Sequence, residues 1–149
     1  MLHRYRFGLE WAGLLLFALI MLPNIIWAFV PAPADVLRAP SATPVVDMIG
    51  SIAQIVMIAA LVLLRHEKRP GKLLSGLNSA AAACMAGYWL GWALYYQGLT
   101  APIVILMLTL LPCAALLLFA ADRRNGIALA AGAGFTLCHS IFAFVNFIM

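Results

Sequence analysis

Five long apolar stretches, separated by short polar segments, account for most of this 149-residue chain. Each stretch holds about 20 residues, which is the number that an α-helix needs to cross the hydrocarbon core of a bilayer. The pattern therefore predicts an all-α fold, a bundle of five transmembrane helices that forms a single membrane domain over residues 1–149. The predicted spans are residues 9–30, 44–64, 75–97, 102–121 and 127–148.

The segments between the stretches are rich in residues that favour turns. Residues 31–43 form an outer loop rich in proline and alanine, in which Asp35 and Arg38 are three positions apart and are expected to pair on one helical turn. Pro44 stands where the first residue of a helix is expected. Residues 65–74 form a basic loop that ends in a Pro-Gly turn.

Positive charge is distributed unevenly between these segments. Of the nine lysines and arginines, eight lie in the N-terminal tail, in loop 65–74 or in the turn after the fourth span, and Arg38 is the exception. Loops rich in Lys and Arg stay on the cytoplasmic side of a membrane. The pattern predicts a cytoplasmic N-terminus, an extracytoplasmic C-terminus and a multi-pass protein of a bacterial-type inner membrane. The first stretch is longer than the core of a signal peptide, so a retained helix is expected.

Composition supports the membrane prediction and argues against a soluble domain. Hydrophobic residues make up 66% of the chain and charged residues 9%, with a mean hydropathy of +1.05. So few charges could not cover this apolar content in water. The net charge of +4 could suit nucleic acid, but the basic residues lie at the helix ends, where they contact anionic lipid head groups. Membrane lipids are therefore the expected partners, and nucleic acid is not.

Polar side chains inside the predicted spans are costly in lipid, so their positions indicate candidate sites. When sequence position is converted to depth in the membrane, most of them fall in the outer half of the bundle. We expect them to line a polar cavity that opens outward and that binds a small molecule or lets it permeate. The candidates are Asn24, Asp47, Gln54, His139 and Asn146.

Several of these candidates also have a purely structural explanation. Asp47 stands in the first turn of its helix, where the helix dipole stabilises a carboxylate. Asn24 follows Pro23, which leaves the carbonyl oxygen of Leu19 without its helical donor, and the Asn24 amide could replace that bond. Gln54 could join two helices by a hydrogen bond.

His139 is the most specific candidate. Phe135, His139, Phe142 and Asn146 follow one another at spacings of four, three and four, which places them on one face of a helix. An imidazole between aromatic rings could bind a ligand or relay a proton. A core histidine without such a role is the alternative.

The third predicted span combines small residues with aromatic ones. Ala83, Gly87 and Gly91 recur every four residues, and a Gly-x-x-x-Gly pair lets two helices approach closely. Gly134, in the fifth span, belongs to a second ridge of this kind. The partner of each ridge is expected to be another helix of the same chain, a second copy in a homo-oligomer or another membrane protein. The aromatic residues, which are expected to form a belt at the membrane interface, are Trp89, Trp92, Tyr95 and Tyr96.

No motif identifies an enzyme, a metal site or a cofactor site. The sequence contains no Gly-x-Ser-x-Gly elbow, His-Glu-x-x-His pair, phosphate-binding glycine loop or Cys-x-x-Cys pair. Cys84, Cys113 and Cys138 lie in different spans and are expected to act as small hydrophobic residues. Two function classes remain: a protein that binds a small molecule or lets it permeate, and a non-catalytic subunit or homo-oligomeric scaffold. A membrane enzyme is a third class without positive support.

Overall fold

The computed structural model describes residues 4–68 and 75–149, and it is helical apart from one short pair of strands. Each long helix begins and ends within two residues of a predicted span, and two of them continue through the internal prolines Pro23 and Pro112. The five helices are α1 (Trp11–Phe29), α2 (Pro44–Leu63), α3 (Gly76–Tyr96), α4 (Pro102–Asp122) and α5 (Gly126–Phe147).

Four of these helices, α1, α2, α4 and α5, are long and apolar enough to cross a membrane. Helix α3 has 21 residues, but its tyrosines, tryptophans and glycines lower its hydropathy. The chain is therefore an all-helical protein in which four helices have the length and composition of membrane spans.

A two-stranded antiparallel sheet joins the N-terminal tail to the segment after α2. Strand β1 (Tyr5–Phe7) pairs with β2 (Leu64–His66), with Arg6 opposite Arg65. The hydrophobic pattern did not predict these strands, because each has only three residues. Residues 69–74 of the predicted basic loop lie outside the described residues.

One end of the bundle, which we call the basic end, brings together the N-terminal strand, the described residues after α2 and the turn between α4 and α5, and all three carry basic residues. The main-chain amide of Gly126 donates to the hydroxyl of Tyr5 at 3.0 Å, so the start of α5 contacts the N-terminal strand. The side-chain amide of Asn78 donates to Asp122 at 3.1 Å, which brings the start of α3 next to the end of α4. The tail, the segment after α2 and the turn between α4 and α5 therefore share one side.

Several polar side chains are buried at the basic end and are paired there. Asn125, which is 2% exposed, donates to the carbonyl oxygens of Ala60 and Leu64 at 2.8 and 3.0 Å and thereby fastens the α4–α5 turn to the end of α2. Arg65 pairs with the buried Glu10 at 3.5 Å. Buried polar groups are tolerated when such partners satisfy them. From the sequence, the α4–α5 turn was expected only to mark the cytoplasmic side, and its role in fastening α2 was not predicted.

Asp35 organises loop 31–43 at the opposite end, which we call the connector end. Its carboxylate pairs with Arg38 at 2.6 Å beside a short 3₁₀ helix, Val36–Arg38, and this confirms the predicted pair. The same carboxylate accepts hydrogen bonds from the indole of Trp27 at 2.8 Å and from the hydroxyl of Tyr95 at 2.9 Å. The loop is thereby fastened to α1 and α3.

The aromatic residues of α3 do not all form a belt that faces lipid. Tyr95 is 0% exposed and Trp92 is 6% exposed, whereas Trp89 lies on the surface. The Trp92 ring packs against Trp27 of α1 and against Tyr88, with centroids 6.2 and 6.4 Å apart. The prediction of an interfacial belt is wrong for Trp92 and Tyr95, because loop 31–43 covers this end of α3 and supplies a partner for the Tyr95 hydroxyl.

The small-residue ridge of α3 packs against α4 of the same chain. A Cβ atom on Gly87 would lie 2.7 Å from Cδ1 of Leu111, and one on Gly91 would lie 3.0 Å from Cβ of Met107. Ala83, at the start of the ridge, is exposed. The glycines therefore serve an intramolecular contact, which is one of the three partners that the sequence left open.

In α5 the contact falls on a different glycine from the one that the sequence indicated. Gly134 is exposed, and a Cβ atom there would meet nothing within 4 Å. The buried glycine is Gly132, where a Cβ atom would lie 2.9 Å from Leu117 and 3.1 Å from the sulfur of Met57. Within the described chain, Gly134 makes no packing contact that depends on the absence of a side chain.

Replacing Gly91 by Leu is expected to lower the free energy of unfolding by about 1–3 kcal/mol, because the new side chain overpacks the contact with α4. Gly134→Leu is the matched control, and it should leave stability unchanged because open space surrounds Gly134. Thermal unfolding in detergent measures both. Equal stability of the two variants would contradict the packing that we describe.

Candidate functional site

Helix α1 contacts different neighbours at its two ends. At the basic end, Gly13 lies so close to α2 that a Cβ atom there would be 2.8 Å from the carbonyl oxygen of Leu61. Toward the connector end, Asn24 donates a hydrogen bond of 2.6 Å to Tyr88 of α3. The helix therefore leans from α2 toward α3 as it approaches the connector end, and a cavity lies between α1 and α2.

The cavity has a volume of about 400 Å³, and small-molecule sites occupy roughly 300–1,000 Å³. Residues from all five helices line it: six come from α2, four each from α1, α4 and α5, and one from α3. Apolar and aromatic side chains predominate in the lining. Four of the five polar candidates from the sequence lie in this lining, namely Asn24, Asp47, Gln54 and His139.

Asp47 lies in the first turn of α2, where the N-terminus of a helix favours a negative charge. One of its carboxylate oxygens accepts a hydrogen bond of 3.1 Å from the hydroxyl of Thr43. The hydroxyl of Ser51, which also lines the cavity, donates to the main-chain oxygen of Asp47 at 2.8 Å. Asp47 is the one carboxylate among the lining residues, and no lysine or arginine is among them.

His139 lies between two phenylalanine rings of its own helix. Its imidazole stacks on Phe135 with ring centroids 5.1 Å apart and on Phe142 with centroids 6.0 Å apart. Its imidazole and the carboxylate of Asp47 line the same cavity. No hydrogen bond joins the imidazole to any residue that the structure describes, so its ring nitrogens retain their hydrogen-bonding capacity.

Asn24 and Gln54 differ in how far the protein satisfies them. Asn24 donates both amide hydrogens, to the carbonyl oxygen of Ile20 at 2.8 Å and to the hydroxyl of Tyr88 at 2.6 Å. Pro23 leaves the carbonyl oxygen of Leu19 without its helical donor, and the sequence suggested that Asn24 could replace that bond. The structure differs, because Asn24 donates to the carbonyl oxygen of Ile20 instead. The side chain of Gln54 makes no hydrogen bond to residues 4–68 or 75–149, although it lines the cavity.

Asn146, the fifth candidate, lies outside the cavity lining. Its side-chain oxygen accepts a hydrogen bond of 2.6 Å from the main-chain amide of Ala42, and its amide donates to the hydroxyl of Thr43 at 3.1 Å. Asn146 therefore fastens the end of loop 31–43 to α5. Because Thr43 in turn holds Asp47, Asn146 positions the carboxylate without facing the cavity.

The structure adds lining residues that the sequence did not indicate. Tyr88, Ser51, Cys113 and Cys138 all border the cavity. Tyr88 is a polar side chain at the middle of α3, and that depth was the signal that could have identified it. Within the described residues, no group of three or more His, Cys, Asp and Glu side chains is placed to hold a metal ion.

Comparison with known proteins assigns the chain to no family. No family model, no curated protein and no solved structure matches it. The chemistry of the cavity is therefore the basis on which a function can be inferred.

Asp35 is expected to make the stability of the connector end depend on pH. Burial alone would raise the pKa of this carboxyl group, but the hydrogen bonds from Trp27, Arg38, Tyr95 and the amide of Ala32 outweigh it and lower the pKa below its usual 3.8. A group whose pKa is lowered by folding stabilises the folded state while it is ionised. Its contribution is therefore present at neutral pH and is lost as the pH falls through the lowered pKa.

We therefore expect wild type to melt at a higher temperature than Asp35→Asn at pH 7, and the difference to shrink below about pH 4. Tyr95→Phe removes one of the donors and should give a smaller difference at pH 7. Thermal unfolding followed by circular dichroism between pH 7 and pH 3 measures this. A difference that stays constant over this range would show that ionised Asp35 does not stabilise the fold.

Proposed function

We propose that this protein binds a small molecule in the cavity between α1 and α2. The proposal rests on the convergence of Asn24, Asp47, Gln54 and His139, from three different helices, on one cavity. Polar groups in a membrane interior are costly unless they are paired. Gln54 and His139 have no hydrogen-bond partner among the described residues, and a ligand in the cavity would supply one.

A binding site fits the cavity better than an open pore does. Toward the basic end, the residues one turn beyond the lining are Leu61 of α2 and Phe119 of α4, which are 1% and 5% exposed. They fill the space between the helices, so passage to that end requires a rearrangement of the packed side chains. Permeation of the ligand is accordingly a second step, which the proposal allows but does not need.

The proposal includes a membrane arrangement with five spans, in a bacterial-type inner membrane. The basic end faces the cytoplasm and the connector end faces outward, because Lys and Arg are retained on the cytoplasmic side. Helix α3 is the remaining span. Three of the aromatic residues that lower its hydropathy are buried against α1 and loop 31–43, namely Tyr88, Trp92 and Tyr95. Lipid therefore does not have to solvate them.

This arrangement predicts on which side of the membrane a reporter lies when it is fused to either end of α5. Alkaline phosphatase fused after Met149 should be active, because it needs the oxidising exterior to form its disulfides. The same reporter fused after Arg124 should be inactive, and a fluorescent protein at these positions should show the opposite pattern. A cytoplasmic reporter at Met149 would reverse the depths on which the outward cavity depends.

A scaffold or subunit role is the second candidate function. The small residues Gly134 and Ala130 of α5 and Ala83 of α3 lie on the surface, where a close-packing helix of a second copy or of another membrane protein could contact them. This role does not account for the polar cavity, so we place it second.

Filling the cavity should abolish binding of the natural ligand. Ile58 lines the cavity, whereas Ile55 of the same helix is 68% exposed on the outer face. We expect Ile58→Trp to lose a small molecule that co-purifies with the wild type, because the indole occupies its space, and Ile55→Trp to keep it. Native mass spectrometry of the protein from lipid nanodiscs measures the bound mass. A wild type with no bound mass, and with no extra density in an experimental map of the cavity, would refute the proposal.

A further inference from the structure

The first feature that bears on the ligand is the charge of the cavity. Asp47 is an acid, and no lysine or arginine is among the lining residues. At the connector end, Arg38 is the one arginine, and Asp35 holds it at 2.6 Å. No other lysine or arginine occurs between residues 7 and 64 or after residue 124, so none reaches Asp47 from α5 or from loop 31–43. The other titratable side chains in the lining are those of His139, Tyr88, Cys113 and Cys138.

The second feature is an excess of hydrogen-bond acceptors over donors. The hydroxyl of Thr43 occupies one oxygen of Asp47 and leaves the other oxygen without a donor. Asn24 uses both amide hydrogens within the protein, so it can offer the cavity its side-chain oxygen. Tyr88 gives its proton to the carbonyl oxygen of Ile20 at 3.0 Å, so its hydroxyl can only accept. These three groups suit a ligand that donates hydrogen bonds or carries positive charge.

The third feature is the aromatic character of the walls. Phe17 of α1, Tyr88 of α3 and both Phe135 and Phe142 of α5 line the cavity together with Asp47. The face of an aromatic ring attracts a cation that lies within about 6 Å of its centre. The same rings provide apolar surface for the uncharged part of a ligand.

From these three features we infer that the ligand is a small organic cation, an amine or a quaternary ammonium compound with an apolar or aromatic body. This inference rests on the proposed function and specifies its ligand. The cationic group pairs with the open oxygen of Asp47, and the body packs against the aromatic walls. The free capacity of Gln54 and His139 serves the polar groups that distinguish one such compound from another.

Other classes of ligand fit the cavity less well. A bare metal ion needs several oxygen, nitrogen or sulfur ligands, and the described residues offer no group of three or more His, Cys, Asp and Glu. An anion would meet the carboxylate of Asp47 without a lysine or arginine to offset it. An uncharged compound would leave the charge of Asp47 in the cavity without a counterion, which is costly away from water.

The test compares two probes of the same shape that differ in charge. Benzyltrimethylammonium is the cation, and neopentylbenzene, with carbon in place of nitrogen, is its neutral counterpart. A compound that binds only the folded protein raises the melting temperature as its concentration increases. For the full-length protein in detergent, we expect the cation to bind at least about tenfold more tightly than the neutral probe, in line with the attraction between two unit charges in a partly desolvated site.

Four variants assign this preference to the cavity and to Asp47. Asp47→Asn should weaken binding of the cation about tenfold and leave the neutral probe unaffected, because it removes the charge at nearly constant shape. It should still fold, since the side-chain oxygen of Asn can accept the bond from Thr43. Asp47→Glu should keep the preference for the cation. Ile58→Trp should abolish binding of both probes, and Ile55→Trp should preserve it.

The outcomes separate this inference from the proposed function. Equal affinities for the two probes, or an unchanged cation affinity in Asp47→Asn, would contradict the inference that the ligand is an organic cation. Loss of binding in Ile58→Trp would still support a ligand-binding cavity. If neither probe raises the melting temperature, the inference that the ligand is an organic cation is wrong. The mass of the co-purified molecule would then decide the proposed function. Cation binding that survives in Ile58→Trp would place the bound probe outside the cavity and overturn the inference.

Discussion

At the basic end, α1 and α2 approach so closely that a Cβ atom on Gly13 would lie 2.8 Å from the carbonyl oxygen of Leu61. Toward the other end, the hydrogen bond from Asn24 to Tyr88 holds α1 against α3 at 2.6 Å. Gly13 and Asn24 lie eleven positions apart, roughly 16 Å along the helix axis, so these two contacts set the course of α1 between them. The gap between α1 and α2 follows from this course. Without it, Asn24 and Asp47 would not lie on opposite walls of one cavity.

The polar groups of the bundle fall into two kinds. Asp35 accepts hydrogen bonds from four donors, and Asn125 both caps α5 and fastens α2. Such groups meet the requirement that a membrane protein satisfies its polar atoms internally. Gln54 and His139 line a cavity and have no hydrogen bond to the described residues. This contrast separates side chains that hold the fold together from side chains that remain available to a ligand.

The hydrophobic pattern predicted what depends on position along the chain and missed what depends on rotation about a helix axis. Helix bounds and the Asp35–Arg38 pair followed from local sequence, and depth alone grouped four of the residues that line the cavity. Gly132 and Gly134 show the limit, because two residues of a helix differ by about 200° in direction. They have nearly equal depth, yet Gly132 packs against α2 and α4 and Gly134 is exposed. The face that turns inward depends on the neighbouring helices, which a single sequence does not display.

Loop 31–43 links the geometry of the cavity to the rest of the bundle. It joins the two helices that flank the cavity, and both of its ends are anchored. Near its start, Asp35 is bonded to Tyr95 of α3 at 2.9 Å, and at its end the amide of Ala42 is bonded to Asn146 of α5 at 2.6 Å.

The cavity can widen or narrow at the connector end only if α1 moves relative to α2. Loop 31–43, which joins these two helices, has to accommodate that motion. Because Asp35 ties the start of the loop to Tyr95 of α3 and Asn146 of α5 ties its end, moving either flanking helix strains one of these anchors. The Asn146 anchor also holds Thr43, whose hydroxyl binds Asp47. A displacement of α5 relative to α2 at the connector end is therefore coupled through two hydrogen bonds, from Asn146 to Thr43 and from Thr43 to Asp47, to the carboxylate of the cavity.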